Sequence, residues 1–217
     1  MITTVLFDLD GTLYDRDRLI RRLAETQYRD FERELAHAGR EHFVGLLVAL
    51  DDHGYRRKDE VYAELGAELG LEPALQARLI DHFWASYDAH CELPDDALST
   101  LETLRACGIR LGIVTNGSVE RQNSKIDALG IRSLFETILI SEQEGVRKPD
   151  SRIFHRALDR CGTVPSAALF VGDHPEADIT GALNAGLAAA WIVVPYWEPP
   201  DAAVPRIERL ADVLPLV

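Results

Sequence analysis

The chain has 217 residues, a net charge of −13 and only three cysteines. At 47% apolar it is long enough to bury a core without disulfides, and Cys91, Cys107 and Cys161 form no CxxC pair, so they read as free thiols in a reducing compartment. The acidic balance argues against broad nucleic-acid binding, which needs a basic footprint, and with no leader-like start and no apolar run of bilayer length the expectation is a cytoplasmic protein with no membrane partner.

The first predicted strand is Thr3–Leu9 (TTVLFDL). The next eighty or so residues carry almost no strand signal. They show helical spacing instead: Ile20 and Leu23, Phe31 and Leu35, then Phe43, Leu46, Leu47 and Leu50, then Val61, Leu65 and Leu69, then Leu75, Leu79 and Phe83. This stretch is read as an inserted cap of four or five helices, residues 15–93, with junctions near Tyr14–Asp17 and Glu92–Asp95. Residues 1–14 and 94–217 form the other domain.

After the insertion, strands and helices alternate. Strands are predicted at Arg110–Thr115, Glu136–Ile140, Ala167–Val171 and Ala189–Val194. Helices near Leu98–Arg105, Val119–Leu129, Ile153–Cys161 and Ala177–Ala185 each stop at a glycine: Gly108, Gly130, Gly162 and Gly186. Several strands are apolar without clean alternation, as strands covered on both faces are. The fold class is α/β, a doubly wound, parallel, five-stranded Rossmann-like sheet with an all-helical insertion. Proline-rich Pro195–Pro205 reads as loop, and Ile207, Leu210 and Leu214 as a last short helix.

Chemistry gathers at the strand ends. In Phe7-Asp8-Leu9-Asp10-Gly11-Thr12, residues two apart on a strand face the same side, so both carboxylates can serve one site. Gly11 permits a sharp exit, and ligands of open α/β sheets bind beyond the carboxyl ends of the strands. Taken alone, such a segment is better read as a solvated Asp-Gly turn. The second strand ends in Thr115-Asn116-Gly117, a hydroxyl followed by backbone amides that open a helix and favour anions; a helix cap by Asn116 or Ser118 is the plainer alternative. Lys148-Pro149-Asp150 follows the third strand, where a surface lysine is equally at home. The fourth ends in Gly172-Asp173-His174-Pro175-Glu176-Ala177-Asp178, whose acids would also suit a helix start. Four strand ends with suitable groups make the joint coincidence improbable.

Asp8, Asp10, Asp173 and Asp178 in one crevice would repel. A like-charge pair at ~4 Å costs about 4 kcal/mol at an effective dielectric of ~20. Lys148 alone cannot balance four carboxylates. A divalent cation can, and an all-oxygen donor set suits magnesium.

These segments, FDLDGT, VTNG, KPD and GDHPEAD, occur in the order found in the haloacid dehalogenase superfamily, and the chain resembles its phosphatase branch with a helical cap of the type inserted just after the first motif. The resemblance covers nearly the whole chain. It implies magnesium-dependent hydrolysis of a small phosphomonoester, such as a nucleotide, a sugar phosphate or phosphoglycolate. By resemblance, Asp8 is the nucleophile that forms an aspartyl-phosphate, and Asp10 is the acid and then the base. Asp8, the Asp10 carbonyl and Asp173 hold magnesium, with Asp178 in the metal's shell. Thr115, Asn116 and Gly117 receive the phosphoryl oxygens, and Lys148 neutralises charge. The dehalogenases of the superfamily lack the second aspartate, so Asp10 points away from carbon–halogen chemistry. A phosphomutase and a non-catalytic binding protein on the same scaffold are the alternatives.

Substrate choice is assigned by the same resemblance to the cap. Its candidate contacts are Arg56 and its neighbours Tyr55, Arg57 and Lys58, with a solvated helix start as the plainer reading. Tyr14, beside the hinge, is a candidate gate or substrate contact, with a packing role as an equal alternative. His174 is either a site residue or a turn cap.

Overall fold

A computed structural model describes all 217 residues, Met1–Val217. The chain divides into two compact units, one formed by Met1–Asp15 with Leu93–Val217 and the other by Arg16–Glu92. Strand β1 is Thr4–Phe7, buried at every position. It ends earlier than its apolar run suggested. The amide of Asp8 still donates to Val171 O (2.9 Å), but Leu9 O accepts from Leu13 N (3.0 Å), and that bond turns the chain.

The Arg16–Glu92 unit is all helical. It contains α1 (Arg16–Asp30), α2 (Glu32–Leu35), α3 (Arg40–Asp51), α4 (Lys58–Leu69) and α5 (Pro73–Ser86), with short 3-10 turns at Asp52–Gly54 and Asp88–His90. Its core is the apolar stripe of each helix: Leu19, Ile20, Leu23, Phe43, Leu47, Val61, Leu65, Leu79 and Phe83. Two buried polar groups cross that core fully satisfied. Gln27 donates to Leu79 O and accepts from the Tyr62 hydroxyl, both at 2.7 Å. Asp51 is shared by two cations, Arg16 at 3.0 Å and Lys58 at 2.6 Å.

The other unit continues with α6 (Ala97–Ala106), β2 (Arg110–Thr115), α7 (Val119–Ala128), β3 (Thr137–Ile140), α8 (Ser141–Glu144), α9 (Ser151–Cys161) and β4 (Ala168–Gly172). A π-helical turn, Pro175–Thr180, leads into α10 (Gly181–Asn184), followed by β5 (Ala188–Ile192), β6 (Arg206–Ile207) and a 3-10 segment, Leu210–Leu216. The sheet is parallel throughout, in the order β3-β2-β1-β4-β5-β6. β1 therefore lies between β2 and β4, in register Phe7↔Ile113 and Phe7↔Val171. The chain reverses its winding there, which is where open α/β sheets leave a crevice. Leu6, Val114, Phe154, Phe170, Ile179 and Trp191 fill the core on one side. Phe154 meets Phe170 edge-on at 5.0 Å between ring centroids.

Two expectations are corrected. The sheet has six strands rather than five, because Ile207 is in a strand and not in a helix. Ile207 pairs with Ile192, Trp191 N donates to Pro205 O (2.9 Å) and Val193 N donates to Ile207 O (2.8 Å). The proline-rich loop thus returns the chain as an edge strand, a position that tolerates proline. The segment read as one helix over Ala177–Ala185 is a π turn followed by a short α-helix. Asp178 N and Ile179 N both donate to His174 O (3.0 and 3.3 Å), which widens the first turn. No helix is long and apolar enough to cross a membrane.

Candidate active site

The carboxyl ends of β1, β2 and β4 and the segment after β3 bring Asp8, Thr115, Lys148, Asp173 and Asp178 into one buried group. Lys148 is its centre. Its Nζ lies 2.6 Å from Asp8 Oδ1 and 2.6 Å from Asp178 Oδ1. The lysine is fixed from its backbone: Lys148 N donates to Asn116 Oδ1 (2.9 Å), and Asn116 Nδ2 donates back to Lys148 O (3.0 Å). The Lys148–Pro149 peptide is cis, and Asp150 caps α9 by accepting from Arg152 N (3.0 Å). Asn116, expected to offer a backbone amide to substrate, thus also has a side-chain task.

Asp173 is held from several directions. Trp191 Nε1 donates to its carbonyl (2.5 Å), Trp197 Nε1 to Oδ2 (3.3 Å) and the Thr12 hydroxyl to Oδ1 (3.4 Å). Gly11 allows this approach. It has φ +79°, and a Cβ there would stand 2.6 Å from Asp173 Oδ2. His174 caps the turn: its Nδ1 accepts from Glu176 N (3.1 Å) and Ala177 N (3.2 Å), and its ring packs on Trp197 at 4.4 Å.

Charge in this group is unbalanced. Carboxylate oxygens of Asp8, Asp173 and Asp178 all lie within 4.8 Å of one another, with one ammonium among them. Burial raises the Asp8 carboxyl against the pull of Lys148, and Asp178 raises it further, to about 7. Burial, then Asp178 and Asp8, push Asp173 well above the carboxylate range. Burial alone would lower Lys148, but the Asp178 and Asp8 carboxylates outweigh it and hold the ammonium firmly charged. Asp178 Oδ1 is buried without an aligned hydrogen bond despite the nearby ammonium. Three carboxylate oxygens this close, with one ammonium among them, could hold a hard metal cation.

Asp10 departs from this group. Its carboxylate accepts from Lys125 Nζ (2.6 Å, Oδ1), from Gln122 Nε2 (2.8 Å, Oδ2) and from the Tyr14 hydroxyl. Tyr14, read as a gate or substrate contact or else as a packing residue, is almost fully buried, at 1% exposure. Gly117, expected to receive phosphoryl oxygens, has its amide donated to Ser141 Oγ (3.0 Å), and Ser118 rather than Asn116 caps α7. In the helical unit, Arg56 is paired with Glu64 (2.5 Å) and Arg57 with Asp59 (2.8 Å). Lys58, expected among the substrate-facing cations, is buried on Asp51. The residues missed in the sequence are Gln122, Lys125, Trp191 and Trp197.

The profile of the haloacid dehalogenase-like hydrolases matches residues 2–186, and the chain belongs to that family. Its curated relatives put it on the phosphatase side, among the phosphoric monoester hydrolases. It is 34% identical to a glyceraldehyde 3-phosphate phosphatase of Methanopyrus kandleri, over 99% of this chain and 97% of that protein. Among solved structures, the magnesium-bound HAD-hydrolase YfnB of Bacillus subtilis superposes with a TM-score of 0.75 at 25% identity, over 99% and 98% of the two chains. A 2-haloacid dehalogenase of Pseudomonas syringae pv. Tomato superposes with a TM-score of 0.62 at 31% identity, over 100% and 97%.

Proposed function

We propose that the protein hydrolyses a small phosphomonoester with magnesium, through an aspartyl-phosphate on Asp8. The observation that carries this reading is Lys148 held between Asp8 and Asp178 beside Asp173, a buried cluster of carboxylates with one cation. Asp8 and Asp173, with Asp178 behind them, would hold the ion. When bound, magnesium supplies the positive charge that lets a phosphate dianion approach these carboxylates. The magnesium named for YfnB supports that choice.

The chain's own residues do the rest. An Asp8 oxygen attacks phosphorus while the bond from phosphorus to the ester oxygen breaks, its electron pair leaving with that oxygen. Asp10 gives the oxygen a proton, so an alcohol departs. Asp10 then takes a proton from water as the water oxygen attacks phosphorus and the Asp8–phosphorus bond breaks, releasing phosphate and restoring the Asp8 carboxylate and the protonated Asp10. Thr115 and the Asn116 amide bind phosphoryl oxygens, and Lys148 offsets the charge that develops at Asp8. Substrate choice falls to the helical unit, acting as a cap. Glyceraldehyde 3-phosphate, named for the Methanopyrus relative, leads the substrate panel, followed by other sugar phosphates, nucleotides and phosphoglycolate.

The dehalogenase likeness gives a second reading, and Asp10 argues against it, because displacement of a halide needs no acid. The test is release of phosphate from the panel and of halide from a 2-haloacid, with magnesium and with EDTA. Phosphate release that EDTA stops and Asp8→Asn abolishes is expected. Halide release without phosphate release would overturn the assignment.

A further inference from the structure

Two polar side chains on α7, Gln122 and Lys125, stand one helical turn apart on one face and belong to none of the family segments. Gln122 is almost completely buried. Its Nε2 donates to Thr115 Oγ1 (2.6 Å) and to Asp10 Oδ2 (2.8 Å), while its Oε1 accepts from Lys125 Nζ (2.8 Å). Lys125 Nζ also donates to Asp10 Oδ1 (2.6 Å).

Donor chemistry fixes every direction in this chain of bonds. An ammonium only donates, so the amide oxygen of Gln122 must face Lys125 and its NH₂ must face the other way. Both amide hydrogens are then aimed, one at the Asp10 carboxylate and one at Thr115. Thr115 therefore accepts from Gln122, which leaves its own hydroxyl hydrogen to point at a different acceptor. Asp10, meanwhile, is gripped at both oxygens and cannot rotate without breaking charge-assisted bonds.

We infer that Gln122 and Lys125 are positioning residues for the hydrolysis: together they set the rotamer of the acid/base Asp10 and turn the Thr115 hydroxyl into a donor for a phosphoryl oxygen. The inference rests on the phosphatase reading above. A merely structural role would slow all substrates alike. Positioning an acid has a different signature, because only a poor leaving group needs the proton. p-Nitrophenolate departs as a stable anion, whereas an alkoxide must be protonated as it leaves. The ratio kcat/KM ends at departure of the leaving group, so the later task of Asp10 as base does not enter it.

The experiment compares wild type, Lys125→Met and Gln122→Glu on p-nitrophenyl phosphate and on the alkyl phosphomonoester of the panel that wild type hydrolyses best, with melting temperature as the control for folding. Lys125 is only partly buried, so its variant keeps the test open if Gln122→Glu folds poorly. Lys125→Met is expected to lose about tenfold or more of kcat/KM on the alkyl ester, within the range an acid supplies, and less than about threefold on the aryl ester, whereas Gln122→Glu, which also releases Thr115, is expected to lose on both esters and more on the alkyl one. Equal losses on both esters, or no loss on either, would overturn the positioning role. Wild type inactive on every phosphomonoester would instead sink the phosphatase reading itself.

Discussion

Replacing Lys148 with methionine removes the only ammonium that bridges Asp8 and Asp178 and keeps the apolar stem that packs near Phe170, where Nζ lies 5.3 Å from the ring centroid. Carboxylates spaced at the 4.8 Å limit of this cluster repel by about 3.5 kcal/mol per pair at an effective dielectric of ~20. Breaking a buried ion pair by deleting one partner costs about 3–5 kcal/mol, and that is the loss expected for Lys148→Met at pH 8 in EDTA. The loss has a pH signature. The folded-state pKa of Asp8 stands at about 7, above its unfolded value, so its contribution to stability is fully present at low pH and is lost as pH rises through about 7. Without Lys148 the carboxyl rises further, which deepens the deficit at pH 8 and shrinks it at pH 5, where the cluster carries protons. Urea denaturation followed by tryptophan fluorescence reads this directly. A Trp84→Phe background leaves only Trp191 and Trp197, both bonded to Asp173. Magnesium should return part of the stability at pH 8. A variant within about 1 kcal/mol of wild type at pH 8 in EDTA, or one with the same deficit at pH 5 and pH 8, would refute the charge argument.

Gly172 leaves no room for a side chain, since a Cβ there would lie 2.4 Å from Asp178 Oδ2. Gly172→Ala should displace Asp178 and break its bond to His174 N. Overpacking of this kind costs about 1–3 kcal/mol, and magnesium affinity by calorimetry should fall with it; unchanged affinity would exclude Asp178 from the metal's surroundings. The thiols form the last prediction. Cys107 is exposed while Cys91 and Cys161 are buried, and burial with Glu136 nearby pushes the Cys161 thiol up to about 11. At pH 8 a disulfide reagent should titrate one thiol quickly and the other two only after unfolding. The raised value also means that folding favours the protonated thiol, so this contribution to stability fades between about pH 9 and 11.

The parts of the site that were legible in the sequence follow a rigid rule. Asp8, Thr115 and Asp173 stand at or just past strand ends, and parallel pairing through β1 brings strand ends together whatever lies between them; Lys148, separated from β3 by α8, is brought in by its backbone bonds to Asn116. Gln122 and Lys125 follow no such rule. They stand inside α7, where a glutamine and a lysine one turn apart look like any solvated face. In the sequence the place of Tyr14 is open between gate and packing for a related reason. Nearness to the hinge suggested a gate, but the turn at Leu9–Leu13 folds its hydroxyl back onto Asp10, four residues away. Lys58 was grouped with its exposed neighbours because nothing local reveals Asp51 beneath it. β6 is two residues long, too short for periodicity to register, and a proline-rich approach disguises it.

The lysine inventory has a practical side. Lys58 and Lys148 are buried, and Lys125 is partly buried against Asp10. These are the chain's only lysines, so, histidine apart, every side-chain cation open on the folded surface is a guanidinium. Acylating reagents and enzymes that tag lysine amines meet no open side-chain amine on this protein, and the two lysines nearest the chemistry are shielded from them. Surface labelling or coupling aimed at amines would spare the native side chains, whereas arginine-directed reagents would decorate the molecule broadly. An amine-specific modification that does appear on Lys58 or Lys148 would thus report opening of the fold.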